Sequence, residues 1–355
     1  MYPRLKIYLK RIEENTRVVR QLCAGHGIRI MGVTKACCGA PELAEAYLAG
    51  GLAMIGDSRV ANLKKLKNIE AEKWLIRPPM LSEIEDLVRY ADVSLQSEME
   101  TVRAINKECE KQGKRHKIIL MMDLGDIREG YVDEEELIAA AVETEKLSHV
   151  DLYGIGTNLT CFSFIQADEE KMECLAEMRR KVENAAGHTL EIGGGNSAAL
   201  DLMMRGGICE GVDNFRLGES LLFGKERSRY TFLPGTRNDG FILECEVVEA
   251  KVKPSLPWGT AGVDSYGRKP VFTDRGEKRK KVICAIGRQD FDAETATPVD
   301  EGILILGASS DHLMLDVTDS VKEYKVGDIV ELRLGYFSVL RAFTSPYVEK
   351  IFLKK

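Results

Sequence analysis

Residues 28–56 read IRIMGVTKACCGAPELAEAYLAGGLAMIG. A short β-rich run (28–34) gives way to a helical stretch, PELAEAYLAG (41–50), that ends on glycine, and a second β-rich run follows (52–56). Glycine suits a helix C-terminus because it adopts the left-handed conformation there at little cost. One strand, one helix and one more strand make a βαβ unit. The same alternation continues through KWLI (73–76), ADVSL (91–95), KIILMMD (117–123), VDLYGIGT (150–157), TLEIG (189–193) and NFRLG (214–218). Between these runs lie LSEIEDLVRYA, SEMETVRAINKECEKQG and ADEEKMECLAEMRRKVENAAG, all amphipathic and charged. Eight such units within about 200 residues predict a (β/α)₈ barrel of the TIM type, with an open doubly wound sheet as the alternative.

Beyond residue 225 the pattern changes to strands and turns: FILECEVVEAKVK (241–253), KPVF (269–272), KVICAIG (281–287), GILILGAS (302–309), HLMLDV (312–317) and DIVELRLG (328–335). This spacing predicts a mainly-β C-terminal domain. LKIYLKRI (5–12) reads as a strand outside the eight. The expected division is a barrel over 11–225 and a β domain over 226–355, which the N-terminal strand 1–10 joins.

The 355 residues carry 50 Lys+Arg against 56 Asp+Glu, a net charge of −6 with no basic tail, which argues against a general nucleic-acid binder. No apolar run approaches the ~18 residues of a membrane-spanning helix. The N-terminus, MYPRLKIYLKRIEENTR, is charged throughout and does not read as a secretory leader. Nine scattered cysteines without a C-x-x-C pair fit a reduced, cytoplasmic protein. The five histidines stand apart from one another, so no metal site is expected.

In such a barrel the chemistry lies just past the C-terminal ends of the strands. There the sequence places Lys35, Arg128, Asn158, Asn196, Ser197 and Arg216, together with Gly218 and the glycines of GGGNS. Each has an ordinary explanation: a solvated lysine, a structural ion pair, a serine capping a helix. Their convergence on one rim favours a site. The Gly-rich loop leading into a helix suits a phosphate, and the loops after the seventh and eighth strands are the usual phosphate site of this barrel. Lys35 lies among Val33, Ala36 and Cys37, small and apolar neighbours that favour a nucleophilic amine able to form a Schiff base. Phosphate plus imine lysine points to pyridoxal 5'-phosphate. Neither G-x-G-x-x-G after the first strand nor G-x-x-x-x-G-K-[ST] occurs, against nicotinamide and nucleotide enzymes.

The motifs VTKACCG, GDSRVANLKKL, LMMDLGDIREG, GTNLTCF, GGGNSAAL, FRLGES and CAIGRQDF together resemble the alanine-racemase-like (fold type III) family of pyridoxal phosphate enzymes. The likeness covers essentially the whole chain. It implies Lys35 as Schiff-base lysine and acid/base group, and Arg216 as donor to the pyridine nitrogen. It implies Ser197, with the backbone around Asn196 and Gly218, as phosphate ligands, and Tyr336 as a further one from the β domain. Arg128 resembles the residue that approaches the ring hydroxyl and the substrate carboxylate. Asn158 stands where the family carries a ring-contacting histidine. The second acid/base group in the family is a tyrosine from the partner subunit. In WGTAGVDSYGRKP its place falls on Gly262, and Tyr266 matches the neighbouring tyrosine. Tyr266 is therefore the expected second base, with Asp290 lining that half of the site.

The resemblance implies racemisation of a free amino acid in a homodimer with composite sites, by proton removal on one face of Cα and return on the other. Ornithine is the expected substrate, with alanine and lysine as alternatives. Asp264, Asp290 and Asp292 are candidate partners for a distal ammonium. The rivals are a non-catalytic pyridoxal phosphate carrier, a fold-related decarboxylase, and a barrel enzyme without this coenzyme. Cys37 and Cys38 are read as packing residues.

Overall fold

The computed structural model describes residues 1–208, 211–263 and 267–354. Eight parallel strands close into a barrel in chain order: β2 (Arg29–Val33), β3 (Met54–Asp57), β4 (Glu72–Leu75), β5 (Val93–Gln96), β6 (His116–Met121), β7 (Val150–Gly156), β8 (Glu191–Asn196) and β9 (Asn214–Leu217). The ring is completed by β2 pairing with β9, Gly32 opposite Leu217. The open sheet is thereby excluded. Met31, Met54, Trp74, Val93, Leu95, Ile119 and Met121 form one buried apolar cluster.

The helices of this unit are α1 (Leu9–Ala24), α2 (Pro41–Ala49), α3 (Val60–Lys65), α4 (Ile84–Tyr90), α5 (Met99–Gln112), α6 (Glu134–Thr144), α7 (Glu169–Ala186), α8 (Ala199–Met204) and α9 (Glu219–Phe223). α6 and α7 start on aspartates, Asp133 and Asp168, whose carboxylates accept from the Glu136 and Lys171 amides. α5, α7 and α9 end on Gly113, Gly187 and Gly224 in the left-handed conformation. None of the described helices is long and apolar enough to cross a membrane.

Contacts divide the chain into one unit of Tyr8–Gly240 and another of Met1–Ile7 with Phe241–Leu353. β1 (Arg4–Tyr8) pairs antiparallel with β10 (Phe241–Lys253), and α1 begins directly after it. Residues 226–240 go with the barrel unit, where the Asn15 side chain donates to the Arg237 carbonyl and accepts from the Arg237 amide. The second unit adds β11 (Arg279–Cys284), β12 (Ala296–Pro298), β13 (Leu304–Ala308), β14 (Leu313–Asp316) and β15 (Ile329–Leu334), which pair antiparallel with one another and with β10, and β16 (Glu349–Leu353), which pairs with β1.

Two expectations fail in this unit. KPVF (269–272) forms no strand, and Val271 and Phe272 are exposed. Residues Tyr336–Thr344 form a helix, α10, whose nine residues are too few for the helical period to stand out between apolar strands.

The barrel also buries a polar chain. Ser94 Oγ accepts from Gln96 Nε2 at 2.7 Å and lies 2.8 Å from His116 Nε2, while Thr101 Oγ1 donates to Gln96 Oε1 at 2.8 Å. Burial pushes the His116 imidazole down to about 4. The unfolded chain thus binds a proton here from pH 6.5 downward while the folded one does not. Stability from this group is complete above pH 6.5 and is lost as pH falls toward 4, by about 3 kcal/mol in all. Urea midpoints at pH 7 and 4.5 should fall less in His116→Gln than in the wild type. Equal losses would refute the assignment.

Candidate active site

Lys35 opens a single helical turn, Lys35–Cys37, two residues past β2. That turn is fastened from beneath. The Thr34 amide donates to the Gly56 carbonyl at 2.9 Å, and Thr34 Oγ1 donates to Asp57 Oδ2 at 2.7 Å. Asp57, fully buried at the end of β3, also accepts from the Arg59 amide (2.9 Å) and Asn62 Nδ2 (3.0 Å). Burial raises its carboxyl, and these hydrogen bonds, then the charge of Lys35, pull it back. Cys37 is buried with its thiol pushed well up, a packing residue and not a thiolate.

Arg216, on β9, is buried at 5 % exposure. Its Nη2 donates to the Thr157 carbonyl just past β7. Burial pushes the guanidinium down to about 10, so it stays charged at neutral pH. Asn196, at the end of β8, donates through Nδ2 to Asn158 Oδ1 (3.1 Å) and the Leu159 carbonyl (2.8 Å). Ser197 is not the helix cap of the ordinary reading. Its Oγ lies 3.2 Å from Ser220 Oγ and accepts from the Ser220 amide at 3.3 Å, joining the loop after β8 to the start of α9. α8 and α9 have only six and five residues, so hydroxyls and loop amides, more than helix dipoles, carry any anion binding here. A Cβ at Gly218 would stand 3.5 Å from the Val33 Cβ, and β9 pairs with β2, so this loop lies beside the strand that leads to Lys35. Glu219 follows, its carboxyl raised by burial and opposed by Arg227, Lys225 and Lys35.

Arg128 sits in the loop between β6 and α6, paired with Glu129 through Nε and Nη2. Asp126 of the same loop is fully buried and accepts from three successive amides after β7, Cys161 (3.1 Å), Phe162 (3.1 Å) and Ser163 (3.0 Å). Lys35, Arg128, Asn158, Asn196, Ser197, Arg216 and Gly218 thus all fall at the strand ends or in the loops of one barrel mouth. Asp57, Thr157, Glu129 and Glu219 belong there too and escaped the sequence reading.

In the second unit, Tyr336 is the first residue of α10. Asp290 is buried, with Oδ1 accepting from Ser345 Oγ at 2.7 Å. Asp292 accepts from the Glu294 amide and pairs with Arg341. Tyr266 and Asp264 lie outside the described residues.

Thr157 Oγ1, Asn158 Nδ2 and Arg216 Nη1 are buried without a hydrogen-bond partner. Such orphaned groups are costly and call for a polar ligand. A flat heteroaromatic with a ring nitrogen fits beside Arg216, and the Ser197–Ser220 loop fits its phosphate. Gly193 belongs to this fit, because a Cβ there would stand 2.7 Å from Arg216 Nη1. Gly193→Ala should displace the guanidinium and lower kcat/KM by roughly 10–100-fold. Unchanged kinetics would show that the guanidinium's placement is immaterial.

The family model for the N-terminal domain of alanine racemase matches residues 7–226. The chain is also 42 % identical over 351 residues to ornithine racemase of Acetoanaerobium sticklandii, covering 99 % of each. The chain belongs to the alanine racemase family. Lysine racemase of Thermotoga maritima is 40 % identical over 355 residues, with 99 % of each chain covered. Among solved structures, alanine racemase of Clostridium difficile shares the fold at a TM-score of 0.75 and 19 % identity, covering 100 % of this chain and 96 % of that one. An alanine racemase of Bartonella henselae with covalently bound pyridoxal phosphate gives 0.75 at 17 % identity, covering 99 % and 100 %. The alanine racemase family is pyridoxal phosphate-dependent, and this chain is a racemase of it.

Proposed function

We propose that this racemase interconverts L- and D-ornithine with pyridoxal 5'-phosphate, as a cytoplasmic homodimer. The observation that carries the reading is the barrel mouth where Lys35, just past β2, and a buried, incompletely bonded Arg216, on the adjacent β9, come from neighbouring strands, in a chain alike from end to end to an ornithine racemase. Ser197, Ser220 and the Gly218 loop would hold the phosphate, Arg216 the ring nitrogen, and Asn158 and Thr157 the remaining ring edge. On the family resemblance, Tyr336 would be a further phosphate ligand. The coenzyme, when bound, withdraws electrons from the substrate's α-carbon and so acidifies its hydrogen.

The side chains do the rest. Arg128 receives the substrate carboxylate and fixes which face of Cα meets Lys35. Lys35 Nζ takes or returns the proton on that face. The partner's Tyr266 phenol serves the opposite face, which a two-base exchange requires. Asp290 supports the half of the site that carries the phenol. Lysine is the second reading, supported by the 40 % identity to a lysine racemase.

The test is a chiral assay of the purified protein, with coenzyme, on L-ornithine, L-lysine and L-alanine in deuterium oxide. D-ornithine carrying α-deuterium, without carbon dioxide release, is expected. Faster turnover of lysine or alanine would reassign the substrate. Carbon dioxide release would support a decarboxylase, and no reaction on any amino acid a carrier.

A further inference from the structure

Arg128 and Arg216 bring two positive charges to the same mouth, and Arg216 donates to a backbone carbonyl and not to a carboxylate. Among the described residues, Glu129 is the carboxylate that bears on both, along with the Cys161 thiol. It grips Arg128 through Nε and Nη2, and its charge favours the Arg216 cation while that of Arg128 opposes it. The Glu129 side chain is 13 % exposed and that of Arg128 35 %, so the pair is partly shielded from solvent.

Adjacent residues in a helix or strand point apart and do not pair. Here the loop is built to bring them together. Ile127 has φ +52°, and Gly130 has φ +132°. A Cβ at Gly130 would meet the Asp123 nitrogen at 2.6 Å. The Asp123 carboxylate accepts from the amides of Gly125 (2.9 Å), Ile127 (3.1 Å) and Arg128 (3.1 Å). Tyr131 then closes the loop against β6, its amide on the Met121 carbonyl at 2.8 Å. The Asp123 carboxylate and the backbone contacts of Tyr131 thus hold the loop that carries both members of the pair.

We propose that Glu129 is a positioning residue for the racemase reaction, holding Arg128 by its Nε–Nη2 edge so that Nη1 meets the substrate carboxylate. This rests on the reading that Arg128 receives that carboxylate. Without Glu129 the Arg128 fork loses its fixed direction, and substrate binding suffers before the proton transfer does.

Two measurements test it, one of them independent of turnover. In the holoenzyme, Glu129→Gln should raise KM by about tenfold while kcat changes less, the size expected for one lost charge-assisted bond. Glu129→Asp, which keeps the charge, should restore part of that loss. The double variant Arg128→Gln/Glu129→Gln should be no worse than Arg128→Gln alone, because one residue acts through the other. In the coenzyme-free protein, the Arg128 Nε–H resonance, assigned by its absence in Arg128→Gln, should exchange slowly with solvent and become fast in Glu129→Gln. Losses that multiply in the double variant, or an Nε–H exchange rate indifferent to Glu129, would overturn the proposal. A wild-type protein that racemises nothing would remove the functional reading instead, and the exchange measurement would still decide the ion pair.

Discussion

Lys35→Ala is expected to abolish racemisation, with a loss of about 10⁴-fold or more, since it removes an acid/base group and the covalent anchor together. The visible absorption band of the reconstituted protein should vanish in the variant. Borohydride treatment of the wild type should fix the coenzyme's mass on the peptide that contains Lys35. The structure separates this result from simple unfolding. The turn that carries Lys35 is held by Thr34, Gly56 and Asp57, none of which uses the lysine side chain. The melting temperature should therefore stay close to that of the wild type. Removing the Lys35 charge also withdraws a neighbour that lowers both Asp57 and Glu219, so those carboxyls should titrate higher still in the variant. An active Lys35→Ala protein would end the functional reading.

Arg216→Gln is expected to lower kcat/KM by about 10²–10³-fold, the usual consequence of deleting one preorganised charged donor in a water-poor site. It should not lower stability. The guanidinium is buried without a carboxylate, and that burial is what pulls its pKa down. Exchanging it for a shorter, neutral amide removes a desolvation penalty, so thermal stability should hold or rise. A residue kept at the expense of folding points to a ligand-directed role. If Arg216→Gln unfolded the protein while leaving the activity of the folded fraction intact, Arg216 would be structural.

The barrel was legible because each strand is a short apolar run buried on both faces, bounded by charged helices. The strand-end rule then led to Lys35, Ser197 and Arg216 without any partner being visible. Other features were not legible, for physical reasons. Asp57 sits in GDSR, where an acid after a strand ordinarily faces water; only burial beneath Thr34 makes it significant. Glu129 follows Arg128 directly, a spacing that carries no contact in regular structure, and it acquires one through the positive φ of Ile127 and Gly130. α10 is too short to announce itself, and KPVF has strand composition but pairs with none of the described strands. Asp290 and Asp292 already serve Ser345 and Arg341, which makes them weaker candidates for a distal ammonium.

Asp126 anchors three consecutive amides of a loop that is 35 residues away along the chain. The two connections after β6 and β7 are consequently a single mechanical part. Anyone grafting a relative's loop to retune substrate preference should transplant both together, since either one alone would arrive without its counterpart's grip.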